Sequence, residues 1–223
     1  LLPIKIIESE FSTAKGLGMA LRRAMALATT DYILRFDADD ISMPYRAEIS
    51  TVFLRNNPYI DVIGTQAYEF SCENVLRLTW QKIVPKAFPE ILQYSISRNP
   101  LNHPSVAFRR DSYNKSTGYK DLPYYEDYSL WLSMLSQGFC MLNLPDFLVY
   151  QNSAGMYNRR SGKQLLNGEI RLLQQRLLVC KMLLHHNYIG RAYIITAMRC
   201  LTRLLTPFML RAVYYKFLRS RII

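Results

Sequence analysis

Tyr32-Ile33-Leu34-Arg35-Phe36-Asp37-Ala38-Asp39-Asp40 decides the fold, because a short apolar run ends there directly in a cluster of three acids. The run predicts a buried strand that opens into a polar loop. Ahead of it, residues 19–28 have the spacing of a helix and residues 4–7 form another apolar run. Strand, helix and strand at this spacing indicate a parallel crossover and therefore an open α/β sheet.

The rest of the chain continues the alternation of strands and helices. Pro44 is well placed in the first turn of a helix that runs to about residue 57, and Gly138 should end another helix. From residue 164 onward the pattern is helical, with breaks expected at Gly190 and Pro207. The other predicted strands are 61–70, 75–80, 105–108 and 139–150, and the other predicted helices are 89–98 and 126–137.

The acidic cluster at the end of the strand is a candidate metal site. In an open α/β sheet, ligands bind beyond the carboxyl ends of strands. Asp37 and Asp39 can point to the same side of the loop, where their charges repel unless a cation joins them; hard oxygen ligands suit Mg²⁺ or Mn²⁺. The alternative is a solvated acidic turn in which Asp40 or Ser42 caps the next helix.

A second carboxylate pair, Glu126 and Asp127, begins the helix predicted over residues 126–137. The helix dipole stabilises negative charge there, so plain capping is one interpretation and a catalytic base is the other. Trp131, one turn further on, either packs in the core or forms an aromatic surface on which a sugar stacks. We favour the core position. His103 lies in a loop between Asn102 and Pro104, where it contacts either backbone or an active-site group.

Basic side chains near these acids are candidate partners for phosphate. Lys15 and Arg46 could contact phosphate or the acidic cluster, and the Gly16-Leu17-Gly18 turn could present backbone N–H groups at a helix start. The turn lacks the full dinucleotide fingerprint, so it indicates little by itself.

The formal charge of +11 lies entirely in the C-terminal part of the chain. Residues 1–150 carry 15 Lys/Arg and 16 Asp/Glu, whereas residues 151–223 carry 13 Lys/Arg and one acid, Glu169. Two interpretations of this tail stay open: a helical subdomain that covers the catalytic core, and an amphipathic surface on anionic lipid. A nucleic-acid-binding module is disfavoured, since the body is close to neutral.

The chain begins at Leu1 without Met, and neither a signal peptide nor an apolar stretch of about 18 residues occurs in it. The four widely spaced cysteines are typical of reduced thiols in a cytosolic protein. We therefore expect a cytoplasmic protein, with peripheral contact to the inner face of the cytoplasmic membrane through residues 164–223 as the open alternative.

Three segments together closely resemble the family 2 glycosyltransferases of bacterial surface-polysaccharide synthesis. They are residues 15–21 with 32–46, residues 99–105 with the Asn102-His103-Pro104 stretch, and residues 124–132 with Glu126-Asp127. The resemblance extends to about residue 150 and implies a GT-A fold, an open mixed sheet with flanking helices. The family's first strands have no counterpart here, so we expect residues 1–150 to form a catalytic domain that lacks them, with 151–223 as a basic helical tail.

The resemblance also implies roles for individual residues. Asp39 would bind the Mg²⁺ or Mn²⁺ that bridges the donor diphosphate, with Asp37 near the ribose and a metal-bound water. Asp127 would be the catalytic base and Glu126 its neighbour near the acceptor. The remaining donor-site candidates are Lys15, Arg46, His103 and Arg159, the last in a basic segment that can close over the donor.

The function implied is inverting transfer of a hexosyl group from a nucleoside-diphosphate sugar. The expected donor is a UDP-sugar, and the acceptor is a saccharide or a lipid-linked saccharide in capsule, exopolysaccharide or O-antigen synthesis. The alternatives are a metal-dependent nucleotidyltransferase of similar architecture and a nucleic-acid-binding module that uses the basic tail.

Overall fold

The computed structural model describes residues 16–70, 78–153, 163–183 and 186–205. A 3₁₀ turn at His103–Ser105 precedes the short strand β5. The helices of this part are α1 (Leu17–Leu27), α2 (Arg46–Asn56), α3 (Phe88–Ser95), α4 (Arg110–Lys115), α5 (Glu126–Ser136), α6 (Lys163–Met182) and α7 (His186–Leu205). The strands are β1 (Tyr32–Leu34), β2 (Ile41–Ser42), β3 (Val62–Phe70), β4 (Leu78–Lys82), β5 (Ala107–Arg109) and β6 (Met141–Asn152).

The strands form one mixed sheet in the order β1-β5-β3-β6-β2, with β4 pairing with the far end of β3. The pairing of β3 with β6 is parallel and runs from Val62 opposite Met141 to Phe70 opposite Asn152. The other pairings are antiparallel. The predicted open mixed sheet is thereby confirmed.

Helices cover both faces of the sheet, because side chains along each strand alternate between two cores. Val62 and Phe108 point into the larger core, which contains Leu130 and Trp131 of α5. Their neighbours Ile63 and Ala107 belong to a smaller core that includes Leu54 of α2. Trp131 is fully buried, so it is a core residue, as the sequence favoured.

Most predicted elements are present, and three differ. The loop expected over residues 37–43 contains the two-residue strand β2, which pairs with Val149 and Tyr150 and is too short to show a pattern. Helix α4 has no predicted counterpart. Helix α7 runs through Gly190, so the break expected there is wrong; one helical glycine costs only about 1 kcal/mol relative to alanine, and packing outweighs it. The strand predicted over residues 4–7 lies outside the described residues.

The two tail helices pack onto the body. Leu165, Leu172 and Val179 of α6 belong to the larger core. Cys180 of α6 and Ala192 of α7 form a further cluster with Ile96, just after α3. Among the helices that the structure describes, none is long and apolar enough to cross a membrane. The division at residue 150 stays a prediction. The described tail helices cover the core, which agrees with the first of the two interpretations of the tail.

Asn143 of β6 connects two loops beneath the sheet. Its side-chain amide donates to the carbonyl oxygens of Pro85 at 2.6 Å and Pro100 at 2.9 Å. Asn143 and Pro100 are buried, whereas Pro85 is half-buried. Because Pro100 follows Asn99 directly, this bond helps to fix the segment that enters the site described below.

Replacing Asn143 by alanine should lower the free energy of unfolding by about 1–3 kcal/mol, since a buried and a half-buried carbonyl lose this donor. Chemical denaturation of the two proteins measures the difference. Asn57→Ala is the matched control, because the Asn57 amide donates to the Phe53 carbonyl at a half-buried helix end. A loss no larger than in that control would contradict the role assigned to Asn143.

Candidate active site

Asp127, the second residue of α5, has its carboxylate fixed by two hydrogen bonds. The Asn99 side-chain amide donates to Oδ2 at 2.6 Å, and the backbone N–H of Tyr128 donates to Oδ1 at 2.7 Å. The Asp127 side chain is 15% exposed, so solvent or a substrate can reach it. An acceptor hydroxyl can therefore meet a carboxylate of fixed orientation.

His103 lies beside this carboxylate in the 3₁₀ turn. Its Nδ1 is 4.0 Å from Asp127 Oδ2, and its Nε2 is 3.0 Å from the Tyr119 hydroxyl oxygen. Burial lowers the pKa of His103 to about 4, although the Asp127 carboxylate acts in the opposite direction. The imidazole is therefore neutral at pH 7. Of the two contacts predicted for His103, backbone or an active-site group, this geometry favours the second, with the Asp127 carboxylate as the group.

The turn before α5 is strained. Tyr124 has φ 69°, a left-handed conformation that non-glycine residues adopt at a cost of order 1–3 kcal/mol. Glu126 is buried in the first turn of α5. Gly18 of α1 approaches this turn so closely that a Cβ there would overlap the Lys120 carbonyl oxygen and lie 3.1 Å from the Glu126 Cβ. Gly18 thus lets α1 pack against the segment that leads into α5.

The acidic loop after β1 has three carboxylates in three environments. The buried Arg35 guanidinium binds both oxygens of Asp37. Asp39 is exposed and, within the described residues, has no hydrogen-bond or ion-pair partner. Asp40 is buried, and its Oδ1 accepts a hydrogen bond from the Asn152 backbone N–H at 2.7 Å, which ties the loop to the end of β6. Burial raises the pKa of Asp40 to about 6.

Asp39 is the carboxylate of this loop best able to take a metal ion. Asp37 already neutralises Arg35, so its oxygens are partly occupied. In the part of the chain that the structure describes, no three His, Cys, Asp or Glu side chains are grouped to hold a metal. One or two carboxylates suffice for Mg²⁺ when phosphate oxygens and waters supply the other ligands. The donor set therefore fits a metal that arrives with a diphosphate.

Arg46 lies in the interior rather than at the donor site. Its guanidinium donates to the carbonyl oxygens of Arg35 at 2.6 Å and Val106 at 3.4 Å. Burial lowers its pKa to about 10, so it stays charged at pH 7. Arg46 supports the end of β1 and the loop that follows, and it interacts electrostatically with Asp40. Of the two partners expected from sequence, phosphate or the acidic cluster, this position favours the second. Lys15 and Arg159 lie outside the described residues.

The Asp127 region and the acidic loop lie near one another. Arg35 is close enough to His103 and Tyr119 to lower the pKa of both groups. Sequence patterns did not single out Arg35, Asn99 or Tyr119 as site residues. Only Asn99 had a signal, since it begins the Asn99-Pro100 segment that leads to His103.

The sequence profile of Glycosyl transferase family 2 matches residues 2–117. An uncharacterized glycosyltransferase of Haemophilus influenzae is 34% identical over 222 residues, which cover 98% of this chain and 79% of the relative. The chain belongs to glycosyl transferase family 2. The amylovoran biosynthesis glycosyltransferase AmsE of Erwinia amylovora is 31% identical, over 97% of this chain and 78% of its own length.

Another family 2 relative carries a more specific name. The Escherichia coli UDP-Gal:alpha-D-GlcNAc-diphosphoundecaprenol beta-1,3-galactosyltransferase is 32% identical over 70% of this chain and 56% of its own length. Family membership and these names support a glycosyltransferase of bacterial polysaccharide biosynthesis. Between the enzyme classes considered above, they favour glycosyl over nucleotidyl transfer.

Solved structures confirm the GT-A fold. Staphylococcus aureus TarS 1–349 in complex with UDP-GlcNAc matches with a TM-score of 0.55 and 16% identity, over 89% of this chain and 55% of that chain. The Pyrobaculum calidifontis mannosyltransferase PcManGT in complex with GDP-Man and Mn²⁺ matches with a TM-score of 0.51 and 13% identity, over 94% and 61%. At these identities the likeness concerns the fold.

The depressed pKa of His103 predicts a pH dependence of stability. Unfolded histidine binds a proton below its usual pKa of 6.5, whereas folded His103 does so only near its pKa of about 4. Its contribution is therefore fully present above pH 6.5 and is lost as the pH falls toward 4. Relative to His103→Gln, the unmodified protein should lose about 2 kcal/mol of unfolding free energy between pH 7 and 5.

Urea titrations of both proteins at each pH measure this difference. Asp40, with its raised pKa, favours the folded state at lower pH, but it is present in both proteins and cancels. Parallel pH profiles for the two would show that His103 is not held neutral by burial.

Proposed function

We propose that this family 2 enzyme is an inverting glycosyltransferase in which Asp127 is the general base. The observation that carries the proposal is the Asp127 carboxylate, fixed by the Asn99 amide and the Tyr128 N–H beside a neutral imidazole. Two hydrogen bonds orient this carboxylate. The neighbouring His103 is neutral, so it adds no positive charge that would make the carboxylate a weaker base. The expected substrates are a UDP-sugar and a saccharide or lipid-linked acceptor.

The reaction needs one proton acceptor. The acceptor hydroxyl oxygen attacks the anomeric carbon, the bond from that carbon to the donor phosphate oxygen breaks, and the hydroxyl proton passes to Asp127 Oδ1 or Oδ2. The nucleoside diphosphate leaves on the opposite face, so configuration inverts. Glu126 is buried next to Asp127 in the first helical turn, and we assign it to the acceptor side of this site.

The departing diphosphate needs charge stabilisation on the other side of the anomeric carbon. Asp39, exposed at the loop after β1, would hold Mg²⁺ or Mn²⁺, and such an ion supplies Lewis-acid stabilisation of a leaving phosphate. Asp37, paired with Arg35, would lie near the donor ribose. Lys15 and Arg159 remain proposed phosphate partners from sequence alone.

Several similarities support this choice of donor. The Escherichia coli relative is named for a UDP-Gal donor and a diphosphoundecaprenol-linked acceptor. The TarS structure contains UDP-GlcNAc, and the mannosyltransferase structure contains GDP-Man with Mn²⁺. All three names contain a nucleoside-diphosphate hexose, and the mannosyltransferase structure also contains a divalent metal.

The outward faces of the tail helices fit an anionic membrane surface, which a lipid-linked acceptor requires the enzyme to approach. Their exposed charged residues are all basic, namely Arg171, Lys181 and Arg191, because the tail's single acid is buried. Exposed apolar side chains lie among them. These are Ile170, Leu178, Met182, Tyr193, Ile194, Met198 and Leu201. We propose peripheral attachment at the inner face of the cytoplasmic membrane through these two faces.

Replacing Asp127 by asparagine keeps the side chain's shape and removes the base. We expect a loss of at least about 2–3 kcal/mol of transition-state stabilisation, seen as a lower turnover. Turnover is followed as UDP release from UDP-galactose, UDP-glucose or UDP-N-acetylglucosamine in the presence of lipid-diphosphate-linked GlcNAc. Asp39→Asn should cause a similar loss and raise the Mn²⁺ concentration needed for half-maximal turnover. Asp111→Asn, which alters only an exposed pair with Lys115, is the control. Unchanged turnover in Asp127→Asn rules out the assignment.

Vesicle flotation tests the membrane surface. Binding should require phosphatidylglycerol in a phosphatidylcholine vesicle and weaken with added salt. Changing Arg171, Lys181 and Arg191 to glutamine should weaken binding by about tenfold to a hundredfold, at about 1 kcal/mol or less per charge. The same change at Arg22, Arg55 and Lys86, exposed on the body, removes equal charge and should have little effect. Equal losses in the two triple variants would mean that net charge, not this surface, drives binding.

A further inference from the structure

The only acid of residues 151–223, Glu169, is fully buried in helix α6. Its carboxylate accepts hydrogen bonds from the Tyr125 hydroxyl at 2.8 Å, from Arg176 at 2.9 Å and from Arg199 at 3.2 Å. We call these four residues the Glu169 cluster. It joins α6 and α7 to the turn that begins α5. Its carboxylate and Arg176 are fully buried, and Arg199 is half-buried.

The Glu169 cluster includes or contacts residues on both sides of the proposed base in the sequence. Tyr125 comes directly before Glu126 and Asp127, and Tyr128 comes directly after them. Arg176 Nε lies 3.4 Å from the Tyr128 hydroxyl, and its guanidinium stacks over the Tyr128 ring at 5.4 Å. The start of α5, which follows the strained Tyr124, is therefore held from both ends by one ion cluster.

The cluster also holds the segment that orients the base. Arg199 donates to the Ser97 carbonyl oxygen, and the Tyr128 hydroxyl donates to the Ser95 carbonyl oxygen. Asn99 follows two residues after Ser97 and donates to Asp127. Both partners of the Asn99–Asp127 hydrogen bond are thus connected to the tail through the same buried charges.

Helix α6 reaches this position because residue 168 has no side chain. A Cβ on Gly168 would overlap the Tyr125 ring, so only glycine allows the α6 backbone to lie against it. Buried ion pairs are often no more stabilising than apolar packing of the same volume. Their bonds, however, are directional, and a helix that slid along an apolar face would break them. The cluster therefore defines position more than it adds stability.

We propose that the Glu169 cluster positions Asp127 for proton abstraction, so that the tail is part of the catalytic apparatus and not only a cover or a membrane surface. Tyr125, Glu169, Arg176 and Arg199 are positioning residues, since they act through the Asn99–Asp127 hydrogen bond. The inference rests on the proposed function of Asp127 as the base.

Tyr125→Phe is the test variant, because it removes one hydroxyl and keeps the ring that packs on Gly168. We expect kcat to fall about tenfold with the donor KM unchanged, since small displacements of a catalytic group have effects of this size. In an Asp127→Asn background the same change should leave the residual turnover unaltered. Thermal unfolding checks that the variant is folded.

Ser112→Ala is the matched control for Tyr125→Phe. It also removes a buried hydroxyl that donates to a carboxylate, the Ser112–Asp61 bond at 2.6 Å. Arg199→Lys tests the second arm, because it keeps the charge while losing the geometry of the bond to Ser97. Its control is Arg110→Lys, which alters an arginine bond to the Thr30 carbonyl oxygen. Both controls should keep kcat within about twofold of the unmodified enzyme.

Turnover in Tyr125→Phe and Arg199→Lys equal to that of their controls would overturn the positioning role while leaving Asp127 as the base. An equal fractional loss with and without Asp127 would also overturn it, because the cluster would then act independently of the base. Full turnover in Asp127→Asn alone is a distinct result, which would refute the proposed function and this inference with it.

Discussion

The parallel pairing of β3 with β6 is the interaction on which the rest of the structure depends. It runs over nine paired positions, from Val62 with Met141 to Phe70 with Asn152, and both cores form on its two faces. Strands so far apart in sequence can pair only if the chain between them leaves the sheet and returns. That excursion contains Asn99, His103 and the start of α5, so the strand pairing itself brings the proposed base to the sheet.

Polar side chains buried near the sheet ends convert this scaffold into a site of fixed geometry. Asp40 joins the acidic loop to the last residues of β6, Arg46 holds the end of β1, and Asn143 connects two loops. Each such group carries a desolvation cost that only a satisfied bond offsets, so each tolerates few arrangements. These bonds thereby hold in place the acidic loop and the segment that leads to α5, to which we assign leaving-group stabilisation and proton abstraction.

The sequence was sufficient for the sheet class, most elements and the two acidic motifs, because those follow from periodicity and from carboxylates next to strand and helix ends. It was insufficient where the outcome depends on contacts between distant residues. Arginine is a typical phosphate ligand, and only the tertiary packing shows that the Arg46 guanidinium binds the carbonyl oxygens of Arg35 and Val106. The Glu169 bonds join residues 44 and 30 positions away, beyond any local pattern. Gly190 failed as a helix break for the same reason.

The net charge of the tail acquires a different meaning once its acid is located. Glu169 is buried and pairs with both the buried Arg176 and the half-buried Arg199, so none of these three residues is a freely solvated surface charge. The exposed charged side chains of the described tail helices are basic, and exposed apolar side chains lie among them. The Glu169 cluster lies inside, where Glu169 accepts a hydrogen bond from Tyr125 in the turn before Asp127. A single helical segment can therefore face a membrane with one side and hold the base with the other. Arginines of the tail thus have two roles, at the outer surface and in the Glu169 cluster. Composition alone cannot tell these roles apart because both use arginine.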